Sequence, residues 1–201
     1  MAYNDIYSLE AELINTSKRE LTNGSTLTPI EKLRLLCLSQ GAGGIVLLGR
    51  SFAKLNIEKK EDLSLDTFME GIVKAGYFEM KEKEIEELFE SFVGVNEFFN
   101  LLRPSMSATR INAINKAFSK LDPERNGSTD FATFKKTYIV DKHPKYQNGD
   151  YTKASIFEKI LTNFENNLIT KEDFLNYYSA ISAQIERDIY FDLFMRECYN
   201  L

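Results

Sequence analysis

The sequence predicts an all-α fold: four helix–loop–helix units paired into two lobes, with short β-bridges between paired loops and an N-terminal arm and helix in front. Three observations carry this expectation. Apolar residues recur at helical spacing in segment after segment, no run of four or more alternating residues offers a sheet core, and one helix–loop–helix pattern repeats along the chain. Repeats of this kind come in pairs, because a single unit cannot bury its own apolar face.

Residues 1–27 are polar and end in the turn-rich TNGSTLT, which reads as an arm or short helix followed by a linker. A helix start follows: Thr28 as N-cap, Pro29 at the first helical position and Glu31 placed to close a capping box. That helix should run from Pro29 to about Gln40, where GAGG (41–44) breaks it. Further on, Ile85, Leu88, Phe89 and Phe92 share one helical face, as do Ile111, Ile114, Phe118 and Leu121, and Phe157, Ile160, Leu161 and Phe164. Ser107 and Thr170 are expected N-caps, Thr170 with Asp173 as a second capping box. RPSM (103–106) carries a helix-stopping proline near the middle. The expected division is therefore an arm (1–27), an N-terminal pair of units with its preceding helix (28–104) and a C-terminal pair (105–201).

The repeat is clearest in FAKLN (52–56) and FSKLD (118–122), each followed 16 residues after its Phe by a second one, Phe68 or Phe134. Between them lie two 12-residue loops, 56–67 and 122–133. Helix, 12-residue loop and helix is the layout of an EF-hand. Two partner units are present in shortened form, with five residues (VGVNE) before Phe98 and nine (ENNLITKED) before Phe174.

A calcium loop draws oxygens from positions 1, 3, 5, 7, 9 and 12, with Gly at 6 for the turn and a bidentate acid at 12. In the first loop Lys60 stands at position 5, Glu61 at 6 and Thr67 at 12, so no binding is expected there. The second and fourth loops are too short to wrap the ion. The third is the candidate: Asp122, Glu124 and Asn126 at positions 1, 3 and 5, Gly127 at the turn, Ser128 at 7 and Asp130 at 9. Its position 12 is Thr133, one neutral oxygen where two charged ones are needed. Calcium is accordingly expected only at low affinity, about 10⁻⁴–10⁻³ M or weaker.

Several stretches resemble the calcyphosin and calcyphosin-like family of EF-hand proteins from about residue 28 to the C-terminus: EKLRLLCLSQGAGGI (31–45), LRPSMS (102–107), AFSKLD (117–122), HPKYQNGDYT (143–152), YYSAISAQI (177–185) and YFDLFMRECYNL (190–201). The resemblance implies four EF-hands in two lobes and an association with cilia and flagella. It implies protein partners such as tubulin or other axonemal proteins along doublet microtubules. Where family loops carry an acid at position 12, this chain has Thr67 or Thr133 or a contracted loop, Glu97 keeping the acid without the loop around it, so calcium binding does not transfer by resemblance.

Composition narrows the function classes. The 30 acidic residues against 25 basic ones, with no basic cluster, argue against nucleic-acid binding. The longest apolar run, IVLL (45–48), cannot span a bilayer, and the first 20 residues hold no apolar core of signal-peptide length. Two distant cysteines, Cys37 and Cys198, suit a reducing, cytoplasmic setting. GAGG lacks the GK[ST] of a phosphate loop, and with His143 as the single histidine the sequence does not support a His-based zinc site or a catalytic triad. Cys37 is expected in the core. The reading is a non-enzymatic interaction or structural protein with largely lost calcium binding; the alternative is a calcium sensor or buffer that uses the third hand to control a target. Phe89, Phe92, Phe98, Phe99 and Leu102 are the expected lining of a partner groove, against the plainer expectation that they fill the lobe's own core.

Overall fold

The computed structural model describes residues 6–23, 26–55 and 64–201. Among these residues helices dominate, and the strands form one two-stranded antiparallel ribbon. Helix α1 (Ile6–Thr22) is followed by α2 (Pro29–Leu38). Helices α3 (Gly44–Lys54) and α4 (Leu65–Lys74) flank the first loop, and α5 (Glu82–Phe89) and α6 (Val95–Leu102) the second. The third unit is α7 (Ala108–Leu121), β1 (Ser128–Asp130) and α8 (Phe131–Thr137). A single turn, α9 (Pro144–Gln147), leads to the fourth: α10 (Lys153–Leu161), β2 (Leu168–Thr170) and α11 (Lys171–Ser182). The last helix is α12 (Asp188–Tyr199).

The helix starts follow from local chemistry. Thr28 caps α2, with Glu31 reaching back to the Thr28 N–H and Pro29 at the first position. Ser107 caps α7, and Thr170 with Asp173 forms a complete box on α11. Each cap satisfies backbone donors that the first turn leaves open, worth roughly 1 kcal/mol apiece.

Packing then follows the repeat. The four phenylalanines that open the exit helices, Phe68, Phe98, Phe134 and Phe174, are all fully buried. In the N-terminal half Phe68 meets Phe98 edge-on with ring centroids 5.0 Å apart, and Phe52 lies 5.5 Å from Phe68. In the C-terminal half Phe118 packs on Phe174 at 5.4 Å. There α12 completes the core, setting Tyr199 among Phe134, Tyr138, Phe174 and Tyr178. The Tyr178 and Tyr199 hydroxyls share a 2.6 Å hydrogen bond, which offsets part of the cost of burying them.

Strands β1 and β2 pair the third and fourth loops with Ser128 opposite Thr170 and Asp130 opposite Leu168, the short bridge expected between paired loops. Residues 6–22, read from sequence as an arm or short helix, form a helix that packs on both α2 and α11. Ile6, Leu9 and Leu13 are buried on its inner face, a spacing of 3 and 4. Its Glu10 accepts the Ala42 N–H at 3.2 Å and pairs with Lys159. Its Tyr7 stacks on Tyr151 at 4.4 Å and donates to the Ser155 carbonyl. This helix therefore straps α2 to the segment joining the third and fourth units.

Where α3 crosses α4 the backbones come close: Ser51 Oγ donates to the Gly71 carbonyl at 2.7 Å. A Cβ on Gly71 would lie 1.8 Å from Phe52 Cε1, and that ring is itself enclosed. Gly71→Ala is expected to lower stability by about 2–3 kcal/mol. Gly49→Ala is the control, since its Cβ meets nothing nearer than Asn176 Nδ2 at 3.6 Å. It should gain up to about 1 kcal/mol from helix propensity. Urea melts of the two variants check the contrast; equal effects would contradict this account of the crossing.

Candidate functional site

The third loop is the part of the chain whose local chemistry most resembles a calcium site. Helix α7 ends as Asp122 leaves helical geometry, and the Asp122 carboxylate, 6% exposed, folds into its own loop. It accepts the N–H of Asn126 at 3.0 Å and that of Gly127 at 2.8 Å. Gly127 sits at φ +87°, open to a residue without a side chain, and Arg125 also turns left-handed at φ +58°. The Asn126 side-chain oxygen accepts from the Ser128 N–H at 3.1 Å. Ser128 then enters β1, so the ladder to β2 holds the far side of the loop.

Asp130 has a second task. It is the N-cap of α8, accepting the Thr133 N–H at 2.6 Å. That bond from the Thr133 backbone is the main reason its carboxyl is held below the usual range. Thr133 itself occupies the third position of α8, in the first turn. Among the described residues no three Asp, Glu, His or Cys side chains converge where an ion could be held. The donor set thus fits calcium in part. The turn and the position-1 carboxylate are in place, while the remaining acids are not gathered and position 12 has no charge to offer.

The described residues of the other three loops make different contacts. In the second, Glu97 accepts the Val93 N–H at 2.7 Å and closes the five-residue turn on itself. In the fourth, Asn166 and Asn167 both adopt φ +55°, a geometry asparagine tolerates, and Asn167 Oδ1 accepts the Phe131 N–H of the third unit. In the first, Thr67 donates its N–H to the cap Ser64 at 3.2 Å, while Lys60 and Glu61 lie outside the described residues.

The five residues expected to line a partner groove are Phe89, Phe92, Phe98, Phe99 and Leu102. Phe98 and Leu102 are fully buried, Phe92 and Phe99 nearly so, and Phe89 is half-buried against the same cluster. Of the five, Phe99 lines a cleft of about 640 Å³ between α3 and the start of α11, and Phe89 stays partly exposed. The buried Asn176 also lines that cleft, and its Nδ2 has no hydrogen-bond partner among the described residues.

Four arginines without a local sequence pattern to mark their partners organise the fold. Arg34 on α2 donates to the carbonyls of Leu101 and Leu102, closing the end of α6. Arg110, on α7, donates to the carbonyls of Ser182, Ile185 and Glu186 and pairs with Asp188 at 2.6 Å, so it shapes the turn into α12. Arg103, within the LRPSMS stretch, joins Asn176 at 2.7 Å, Asn100 at 2.8 Å and Glu172. Burial pushes its guanidinium below the ordinary value, and Glu172 opposes that shift. Arg50 reaches from α3 to the fourth loop. A lone cation inside IVLLGRSF was the available signal, because a charge on so apolar a helix face needs a partner.

This arrangement defines a helical protein of EF-hand type with four helix–loop–helix units. No family model matches the chain. Crustacean calcium-binding protein 23 of Faxonius limosus is 36% identical over 194 residues, spanning 90% of this chain and 95% of that protein. The protein of the same name from Homarus americanus is 27% identical over 159 residues, spanning 77% of this chain and 97% of its own length. The chain belongs to the family of crustacean calcium-binding protein 23.

Proposed function

We propose that this chain is a non-enzymatic EF-hand protein that takes calcium at low affinity through the third loop and works by binding other proteins. The observation that carries the reading is the third loop itself. Asp122 already holds the turn through Asn126 and Gly127, so the chain does not have to be reorganised around the first ligand. Asp122, Glu124, Asn126 and Asp130 would supply side-chain oxygens and Ser128 its carbonyl; Thr133 would add at most one neutral oxygen. The relatives' printed name, calcium-binding protein, supports the same reading.

Affinity follows from ligand charge. With position 12 uncharged, the dissociation constant is set at about 10⁻⁴–10⁻³ M. At 10 mM calcium and a constant near 1 mM, linkage stabilises the fold by about 1.4 kcal/mol, a rise of roughly 3–6 °C in the thermal midpoint. Midpoints in calcium, in magnesium and for Asp122→Ala test this. An equal rise in magnesium, or a full rise in Asp122→Ala, would sink the assignment to this loop.

Protein partners are the remaining part of the reading, and the partly exposed Phe89 and the cleft-lining Phe99 are the members of the aromatic set within reach of another chain. A calcyphosin-like role, placing the protein in a ciliary or flagellar axoneme with tubulin or its neighbours as partners, rests on the sequence resemblance alone. Among the described residues no helix is long and apolar enough to cross a membrane.

A further inference from the structure

We propose that the fourth hand does take a cation, and that the cation is Arg50 of the first hand. Glu165 follows Phe164 directly and Asp173 directly precedes Phe174, so these two acids stand at the two ends of the fourth loop, where Asp122 and Thr133 stand in the third. The loop between them is nine residues long, too short to wrap a calcium ion. The Arg50 guanidinium lies between the two acids, Nη2 at 3.5 Å from Asp173 Oδ2 and Nη1 at 3.9 Å from Glu165 Oε2. Arg50 and Asp173 side chains are only 14% and 12% exposed, so their charges are poorly screened and need each other.

The surrounding residues support the same role. Lys54, one turn further along α3, meets Glu165 at 3.2 Å and balances the second carboxylate. On the other side of the α11 start, buried Arg103 holds Glu172 and Asn176. Two guanidiniums from the N-terminal half thus grip the first turns of α11. A cation carried on the chain is present at an effective concentration that a free divalent ion must outcompete. The fourth hand is consequently closed, and tied to the first, at any calcium level.

The test is chemical rescue. Arg50→Ala removes the guanidinium and leaves both carboxylates facing a space of its shape; its thermal midpoint should fall by about 5 °C. N-ethylguanidinium at 10 mM, far below denaturing levels, should restore at least half of that loss in Arg50→Ala and move wild type by less than 1 °C. Ethylammonium and potassium chloride at equal ionic strength should restore little. Arg50→Lys, which keeps the charge and guards against a variant that fails to fold, should lose less than Arg50→Ala and gain nothing from ethylguanidinium. An unmoved midpoint in Arg50→Ala, or rescue by ethylammonium or salt equal to that by ethylguanidinium, overturns the assignment. Calcium titration of the same variants reads the third loop separately, so failure of either reading is seen independently of the other.

Discussion

Thr133→Glu should tighten calcium binding at least about ten-fold, and towards the 10⁻⁵ M range of working sensor loops. The position decides the size of the effect. Thr133 is the twelfth residue of the loop and the third residue of α8, behind the N-cap Asp130. A glutamate there supplies the missing bidentate acid and sits well in a helix whose first turn favours negative charge. The substitution therefore carries no folding penalty to obscure the result. Thr133→Gln separates the two contributions, since it keeps the shape and the helix preference without the charge; it should leave affinity within about three-fold of wild type. Calorimetric titration of both variants checks the contrast. If glutamine and glutamate behave alike, charge at position 12 is not what limits this loop.

The second large effect is alkaline. Cys37 and Cys198 are both buried, and burial pushes each thiol from its ordinary value near 9 up to about 12. Burial likewise raises the hydroxyls of Tyr138, Tyr177, Tyr178 and Tyr199 well above the usual phenol range. The folded state keeps these protons while an unfolded chain releases them, so each group's contribution is complete below the unfolded value. It is lost as pH rises through the window up to the folded one. For one thiol the shift from 9 to about 12 amounts to on the order of 4 kcal/mol by the top of that window. Over the two thiols together, such a loss is comparable to the stability of an ordinary domain. Urea midpoints should hold level to about pH 8.5 and fall steeply above it, with cooperative unfolding below pH 12. A midpoint unchanged at pH 11 would contradict this picture of the core. The same burial predicts slow alkylation of both thiols at pH 7 in the folded protein.

The local layer of this fold is written in short-range patterns. Thr28, Pro29 and Glu31 mark a helix start, and Phe68, Phe98, Phe134 and Phe174 mark four exit helices, because caps and apolar spacing act within a few residues of themselves. The third loop could be read ligand by ligand for the same reason. What escaped was long-range. Arg50 meets Asp173 across 123 residues, Arg103 meets Asn176 across 73 and Arg110 meets the Ser182 carbonyl across 72. No spacing rule connects such pairs; a cation in an apolar stretch signals only that some partner exists. The N-terminal helix was half-legible, since Ile6, Leu9 and Leu13 carry the spacing of a buried face among polar neighbours. Its docking on Tyr151 and Ser155 depends on where the fourth unit sits, which local periodicity does not encode.

The cores also explain why the aromatic set divides as it does. Phe98 faces Phe52 and Phe68, and Leu102 is buried on the same helix, because α6 must bury the apolar side of its two turns. In the C-terminal half α12 lies against α7 and brings Tyr199 to Phe134 and Phe174.

The most direct measurement is calorimetric titration of the wild-type protein with calcium, alongside Asp122→Ala. One site with a dissociation constant of about 10⁻⁴–10⁻³ M, absent from Asp122→Ala, is expected. Micromolar binding in wild type, or millimolar binding that survives Asp122→Ala, would contradict it.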